Sequence, residues 1–481
     1  MRIDDPPVVS STLSNIASLR PATRLCIAAL AVFASSSPGC SSHCDVCKVD
    51  NGNGDFFPAG DHEPVSKPGK HVLEIVETRR IVPGPDLPES IEPMFSNNNL
   101  DVVRFDGRTF LAFRTAPSHY ASADTRIVVV SSTDEKSWVE ETTFQVGRDL
   151  REPRFLPVAG KLFLYVTELG VDDDDFQPGG IKVSERAAGG KFNALRPLFT
   201  DGRLLWRTFV HDGKSYATWY TGGEQIYRPI VLLSRDKLNG FLELLLPTPL
   251  FEGSVKVHLG TTDDGVTFNP VASPMHVGGA SETAVAFDPS GNGYAVMRTE
   301  LPEPGGHAGS NVCRAEASDL SKWSCRHDTR KFDSPFMFEH DGEIYLVARR
   351  NLAQNGEFAP DPITTVADYV LAQAKYSCSR KRCAVWRFDK EHQAIDFVMD
   401  LPSRGDTCFP SVIPGERPDE VVIYDYSAPL NDTEEQRWCE AQDDVTHIYR
   451  HQIRFVPNDG AHAQRGAFEP ALAGGGRSCA R

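Results

Sequence analysis

The sequence predicts an all-β protein, a single six-bladed β-propeller domain, on three observations. Short apolar strands dominate it, one strand–turn–strand unit recurs, and a second turn motif falls between the copies of the first. The strands come first. Runs such as 109–113 and 127–130 are bounded by Gly, Asp and Pro, and no long helical periodicity interrupts them.

The recurring unit is a polar start, an apolar strand, a tight turn and a second apolar strand. Its turns fall at Gly107, Gly160, Gly213, Gly291 and Gly342, with a looser sixth at Gly415. Successive turns lie 53, 53, 78, 51 and 73 residues apart. About fifty residues is the length of a four-stranded blade, so the two long intervals must carry insertions. One such unit cannot bury both its faces, so the copies must stack about a common axis. The segment 71–82 is expected to close the ring by pairing with the last blade, which removes the free sheet edges.

The second motif is clearest at Thr261-x-Asp263-x-Gly265-x-Thr267-Phe268, with degenerate copies at Ser132, Asp134 and Trp138, at Ser234, Asp236 and Phe241, and at Ser318, Asp319 and Trp323. In such a turn the aspartate accepts backbone N–H bonds and the aromatic ring packs beneath the loop. These residues are structural rather than catalytic.

The propeller is assigned to 71–456 of the 481 residues. Before it, Arg20 and Arg24 precede an apolar run at 25–34 and then Ser-Pro-Gly-Cys40. Ten apolar residues are too few to span a bilayer and suit an export signal. Residues 1–40 therefore read as a signal segment in which Cys40 becomes a lipidated N-terminus at the outer membrane or cell surface. Cleavage near Ala34 and secretion is the alternative. Residues 41–70 are a polar, Gly/Pro/Asp-rich tether, and 457–481 an Ala/Gly-rich disordered tail.

A net charge of −16 disfavours nucleic acid and anionic membrane surfaces as partners, and neither a P-loop nor a strand-linked GxGxxG is present. No cofactor or metal is called for, and a monomer is expected. The acidic run 172–175 suggests calcium at first sight, but consecutive acids in a Gly/Pro-flanked loop are more often simply solvated.

Eleven cysteines fit an oxidising compartment. Cys313 with Cys325, and Cys378 with Cys383, are expected as local disulfides, and Cys408 with Cys439 as a third. Cys40-x3-Cys44-x2-Cys47 has iron–sulfur spacing, yet its Ser/Asp/Gly-rich setting favours an anchor plus a small disulfide.

With this turn motif and six such blades, the chain resembles the sialidase (neuraminidase) superfamily over roughly 71–456, and specifically its bacterial members with Asp-box repeats. The resemblance implies a pocket on the axis, where the innermost strands begin. The strand starts that would meet there carry Asn97 to Asn99, Arg151, Glu152, Arg207, Ser281, Glu282, Asp333 and Asp406. The ends of the second strands would supply Arg114, Arg298, Arg349 with Arg350, Tyr424 and Tyr426. Glu282 opens a strand and Arg298 ends its hairpin partner, as a glutamate and one arginine of the sialidase site do. Asp124 stands on the loop before the strand leading to the first turn motif, like the acid/base aspartate of that family, and His119 lies nearby. Two features differ. Ser96-Asn97-Asn98 replaces the family's Arg-Ile-Pro start, and Asp333 stands where its nucleophilic tyrosine would be.

The resemblance implies a glycoside hydrolase acting on terminal sugars of a glycan. The candidate catalytic groups are Asp124, Glu282, Asp333 and Asp406. Arg114, His119, Arg151, Glu152, Arg207, Arg298, Arg349, Tyr424 and Tyr426 would bind the substrate through charge-assisted hydrogen bonds. A non-catalytic carbohydrate-binding lipoprotein is the rival, and a purely scaffolding propeller a third reading.

Overall fold

Four hairpin turns have the backbone their sequence demands. Asp106-Gly107, Ala159-Gly160, Asp212-Gly213 and Asp341-Gly342 all place both residues at positive φ, between 47° and 76°. This is the twist-matched two-residue turn that joins the inner two strands of a blade. The computed structural model describes residues 61–171, 178–223, 226, 255–432 and 435–459. The expected signal and Cys40, Cys44 and Cys47, the acidic run 172–175, the motif copy at 234–241 and the segment 460–481 lie outside the described residues.

Six four-stranded antiparallel sheets form the blades. Blade one is β2 (Ser96–Phe105), β3 (Arg108–Ala116), β4 (Arg126–Ser132) and β5 (Val139–Phe144). Blade two is β6 (Leu150–Val158), β7 (Lys161–Glu168), β8 (Gly180–Ala187) and β9 (Arg196–Phe199). Blade three is β10 (Leu204–His211), β11 (Lys214–Thr221), β12 (Val255–Thr262) and β13 (Asn269–Gly278). Blade four is β14 (Ala280–Phe287), β15 (Gly293–Thr299), β16 (Ser310–Ala315) and β17 (Ser324–Asp328). Blade five is β18 (Asp333–His340), β19 (Glu343–Asn351), β20 (Lys381–Asp389) and β21 (Ala394–Asp400). Blade six joins β22 (Ser411–Pro414), β23 (Glu420–Ser427) and β24 (His447–Pro457) to β1 (His71–Val82), which pairs antiparallel with β24 from His71↔Pro457 to Val82↔Ile448. The ring is thus closed by its first strand, as expected.

Apolar side chains fill the seams between blades. One cluster joins blades one and two through Phe110, Val129, Phe155 and Leu164, and another joins blades four and five through Val296, Phe332, Leu346 and Trp386. Each fully buried side chain of this size contributes about 1.5–3 kcal/mol. Near the axis the ties are polar. Asp101 of β2 accepts the Phe155 N–H of β6 at 2.7 Å and the Ser411 hydroxyl of β22 at 2.8 Å, fastening three inner strands with one carboxylate.

The motif turns join third to fourth strands, with one change of register. Asp134 accepts the N–H groups of Lys136 and Ser137, both at 2.8 Å. In blade three the matching acceptor is Asp264, not Asp263: it takes the N–H groups of Val266 and Thr267 at 2.8 and 2.7 Å. Phe268 then stands four residues after Asp264, as Trp138 does after Asp134 and Trp323 after Asp319.

Two further expectations are corrected. A helix, α1 (Val366–Ser377), fills the insertion between β19 and β20, and a short one, α2 (Trp438–Gln442), that between β23 and β24. A capping box starts α1: Thr365 and Asp368 satisfy one another's backbone N–H groups, a signature that Thr365-x-x-Asp368 carries in the sequence. Cys313–Cys325 forms as expected, with Cα atoms 4.0 Å apart. Cys383, however, bonds to Cys408 rather than to Cys378, with Cα atoms 4.9 Å apart, and this also displaces the expected Cys408–Cys439 pair. The reason is the helix: Cys378 becomes its C-cap, whereas Cys383 on β20 packs in the core between blades five and six.

Candidate active site on the propeller axis

Five of the six inner strands carry a bulge near their start: at 98/100 in β2, 151/154 in β6, 205/207 in β10, 280/283 in β14 and 333/336 in β18. Asn99, Glu152 and Ser334 take positive φ there. Bulges re-aim side chains and backbone groups, and here they do so at the mouth of the axis. In β18 the bulge turns the Ser334 N–H onto Glu282 Oε2 at 2.7 Å.

Glu282 and Asp333 flank one guanidinium. Arg298 Nη1 lies 3.1 Å from Glu282 Oε1 and 3.7 Å from Asp333 Oδ1, while Arg298 Nη2 lies 3.1 Å from Glu300. Lys331 completes this side, 3.1 Å from Glu300. The two carboxyl groups respond oppositely. Burial, reinforced by the charges of Asp333 and Glu152 against the pull of Arg298, pushes Glu282 up to about 7. Asp333 is equally desolvated, but Lys331, Arg298 and Arg349 outweigh that and hold it below the ordinary carboxylate range. Burial also raises Glu152.

Asp333 leads across the axis. Its Oδ2 accepts the Tyr376 hydroxyl at 2.5 Å and Arg349 Nη1 at 3.2 Å. Arg349 continues to the Thr407 carbonyl at 2.8 Å and to Tyr426 Oη at 3.3 Å, with its guanidinium over the Trp438 ring. Tyr426 and the Trp438 indole each donate to Asp406 Oδ1 at 2.9 Å, and His119 Nδ1 lies 2.7 Å from Asp406 Oδ2. Burial and the Asp333 charge raise Tyr376 well above its usual value, and burial with Asp406 does the same to Tyr426, so both remain hydroxyl donors.

The structure therefore brings Glu282, Arg298, Asp333, Arg349, Tyr426, Asp406 and His119 into one chain of contacts. Arg151 joins it through His119, whose carbonyl it reaches at 3.3 Å, and Glu152 lies in the fields of Arg151, Arg154 and Arg298. Other expected members lie elsewhere. Arg114 is fully buried, its guanidinium committed to Asp149, Asn98 and the loop 118–125, so it holds protein rather than ligand. Arg207 is buried against Trp206, Phe336 and Phe409 and donates to the carbonyls of Pro335 and Ser334, yet it borders the cluster, within the fields of Glu282 and Glu152. Tyr424 points down the blade one–six seam to Glu135, two residues deeper than Tyr426 on the same strand. Arg350 turns outward to Asp400 at 2.5 Å. Asp124 is exposed, and its carboxylate makes no hydrogen bond among the described residues.

Sequence reasoning missed Tyr376, Lys331, Asp149 and Lys381. The capping box of α1 would have exposed the helix that delivers Tyr376; the others carry no local signal. Lys381 is buried with no carboxylate partner among the described residues and donates to Asn351, Ser379 and the Tyr376 carbonyl, and burial depresses it well below the usual lysine value. Among the described residues no group of three or more His, Cys, Asp or Glu is placed to hold a metal. A separate cavity of about 740 Å³, lined by Arg79, Arg104, Glu135, Lys136 and Arg450, opens at the turn end of blades one and six, away from this network.

Fold and site together define a six-bladed β-propeller with a charged, largely buried cluster at the head of its axis. The sequence matches no protein-family model and no curated protein. Among solved structures, the fold is similar to a protein of unknown function from Dyadobacter fermentans, with a TM-score of 0.52 and 12% identity over 80% of this chain and 99% of that one. Trypanosoma rangeli sialidase in complex with the inhibitor DANA aligns with a TM-score of 0.45 and 14% identity, over 83% of this chain and 60% of the sialidase. A mutant alpha-L-arabinofuranosidase from Fusarium graminearum, in complex with an iminosugar inhibitor, aligns with a TM-score of 0.41 and 12% identity, over 74% and 92% of the two chains. At such identities the first alignment speaks for the fold, and the chemistry rests on the site itself.

Proposed function

We propose that this protein is a glycoside hydrolase acting on terminal sugars of a glycan from its axial site. One observation carries the reading: Glu282 and Asp333 share Arg298, and their surroundings drive their proton affinities apart. That separation assigns an acid and a permanent anion. Glu282, whose proton is held up to about pH 7, gives it to the leaving glycosidic oxygen. Asp333 keeps the local field that holds that proton and stabilises the oxocarbenium-like centre. Arg298 and Arg151, whose side chains stay 15% and 11% exposed, orient hydroxyl or carboxylate groups of the sugar.

The finer family reading, an Asp-box member of the sialidase superfamily, rests on the turns at Asp134, Asp264 and Asp319. Export with lipidation at Cys40 rests on the apolar run that precedes it and on disulfides that suit an oxidising compartment. The expected partner is a glycan, met by a monomer.

The test is hydrolysis of a panel of aryl glycosides by wild type and Glu282→Gln. Release of the aryl group by wild type, lost in the variant, supports the reading. Sugar binding without turnover in both overturns it in favour of a carbohydrate-binding propeller. That second reading is favoured by the 1% exposure of Asp333, which leaves it little room to touch a ligand.

A further inference from the structure

The loop between β3 and β4 is held on both sides of one residue. Arg114, itself fixed by Asp149 at 2.8 Å, donates to the carbonyl of Ser118 at 3.0 Å and to that of Tyr120 at 2.6 Å. Between them, His119 donates its backbone N–H to the Gln442 carbonyl at 3.1 Å and offers its own carbonyl to Arg151. A wholly buried Arg–Asp pair is a costly way to brace an ordinary surface loop. What it fixes is an imidazole. His119 Nδ1 meets Asp406, a carboxylate with no exposure that also accepts Tyr426 and Trp438. The ring is 19% exposed, and Nε2 has no hydrogen-bond partner among the described residues and is not one of the buried unpaired atoms. It is therefore open to solvent. His119 hangs from blade one over blade six, and Glu282 belongs to blade four, across the ring.

We propose that His119 is the proton acceptor of the axial site, with Asp406 as the residue that positions it; this rests on the glycosidase reading above. The carboxylate fixes the tautomer, leaving the Nε2 lone pair bare. As water attacks the anomeric carbon, its O–H bond breaks and the proton passes to Nε2. The glycosidic C–O bond breaks with its electron pair left on the leaving oxygen, which takes the proton of Glu282. Asp406 stabilises the imidazolium, and solvent returns the proton from His119 to Glu282. One displacement with acid and base on opposite sides inverts the anomeric configuration.

The experiment compares wild type, His119→Ala and Asp406→Asn on the glycosides that wild type cleaves. General-base loss is expected to lower kcat about 100-fold or more in His119→Ala with little change in KM. Added imidazole restores part of that rate, and the anomer released by wild type is inverted. A His119→Ala enzyme within about threefold of wild type, or a loss of rate that imidazole does not relieve, overturns the proposal while leaving the hydrolase reading intact. If wild type cleaves no glycoside, the hydrolase reading fails and the His–Asp pair is judged by long-range ¹H–¹⁵N spectra of the labelled protein. The Nδ1–H tautomer of His119, lost in Asp406→Asn, supports the pair as a proton acceptor, and an Nε2–H tautomer in wild type overturns it.

Discussion

Glu282 and Asp333 approach the same nitrogen of Arg298, at 3.1 and 3.7 Å, yet one carboxyl is pushed up to about 7 and the other held below its usual range. The difference lies in what each has besides Arg298. Asp333 adds Lys331, Arg349 and the Tyr376 hydroxyl, whereas Glu282 adds a single backbone N–H and two repelling carboxylates. Two acids at one cation need not share its charge equally, and the less supported one keeps its proton.

Glu282 therefore sets a pH dependence of stability with a definite sign. Its carboxyl titrates near 4.5 when unfolded and near 7 when folded, so between these values the folded chain holds the extra proton. The contribution is present below about 4.5 and lost as pH rises through about 7. Glu282→Gln removes the titration while keeping the shape. Its Tm should match wild type near pH 4.5 and exceed it at pH 8, by scanning calorimetry at both values. An unchanged difference across the range would refute the assignment.

The activity of wild type should follow the same proton. Turnover that needs protonated Glu282 declines as pH rises above about 7, giving an alkaline limb in kcat/KM. A rate that stays level to pH 9 would remove Glu282 from the role of acid.

Asp149 makes the opposite prediction. It is buried, and although burial opposes ionisation, Arg114 and Arg151 hold it at about 2. Its stabilisation is present above about 4 and lost as pH falls through about 2. Asp149→Asn leaves Arg114 with an unbalanced buried charge and should destabilise by about 3–5 kcal/mol at pH 7. Urea unfolding at pH 7 and pH 3 measures both the loss and its shrinkage in acid.

The motif turn of blade three separates two adjacent aspartates. Asp264→Ala removes the acceptor of two backbone N–H groups and should lower Tm, whereas Asp263→Ala should leave it within error. A loss in Asp263→Ala with none in Asp264→Ala would put the motif in the register that the sequence first suggested.

Cys313–Cys325 ties β16 to β17 across a separation of 12 residues. Its replacement by two serines should cost about 3 kcal/mol by the loop-entropy estimate, read as a lower urea midpoint than that of wild type without reducing agent.

The sequence by itself determined the repeat, the phase of the inner turns, the closing strand and the strands that carry Glu282, Arg298 and Asp333; Asp406 stands in the segment before β22. These are local or periodic signals: a positive-φ turn needs Asp-Gly or its like, and a blade cannot bury its faces alone. Tertiary structure alone decided which polar groups are already committed. Nothing in the neighbourhoods of Arg114 and Arg298 distinguishes them, yet the first is sealed against Asp149 and a loop, while the second stays 15% exposed among Glu282, Glu300 and Asp333. The same holds for Asp264 over Asp263, Cys408 over Cys378, and Tyr376 brought to Asp333 from an inserted helix. Hydrogen-bond satisfaction and desolvation belong to residues far apart in the chain that meet only when the ring closes, and those two quantities set the chemistry of the axial site.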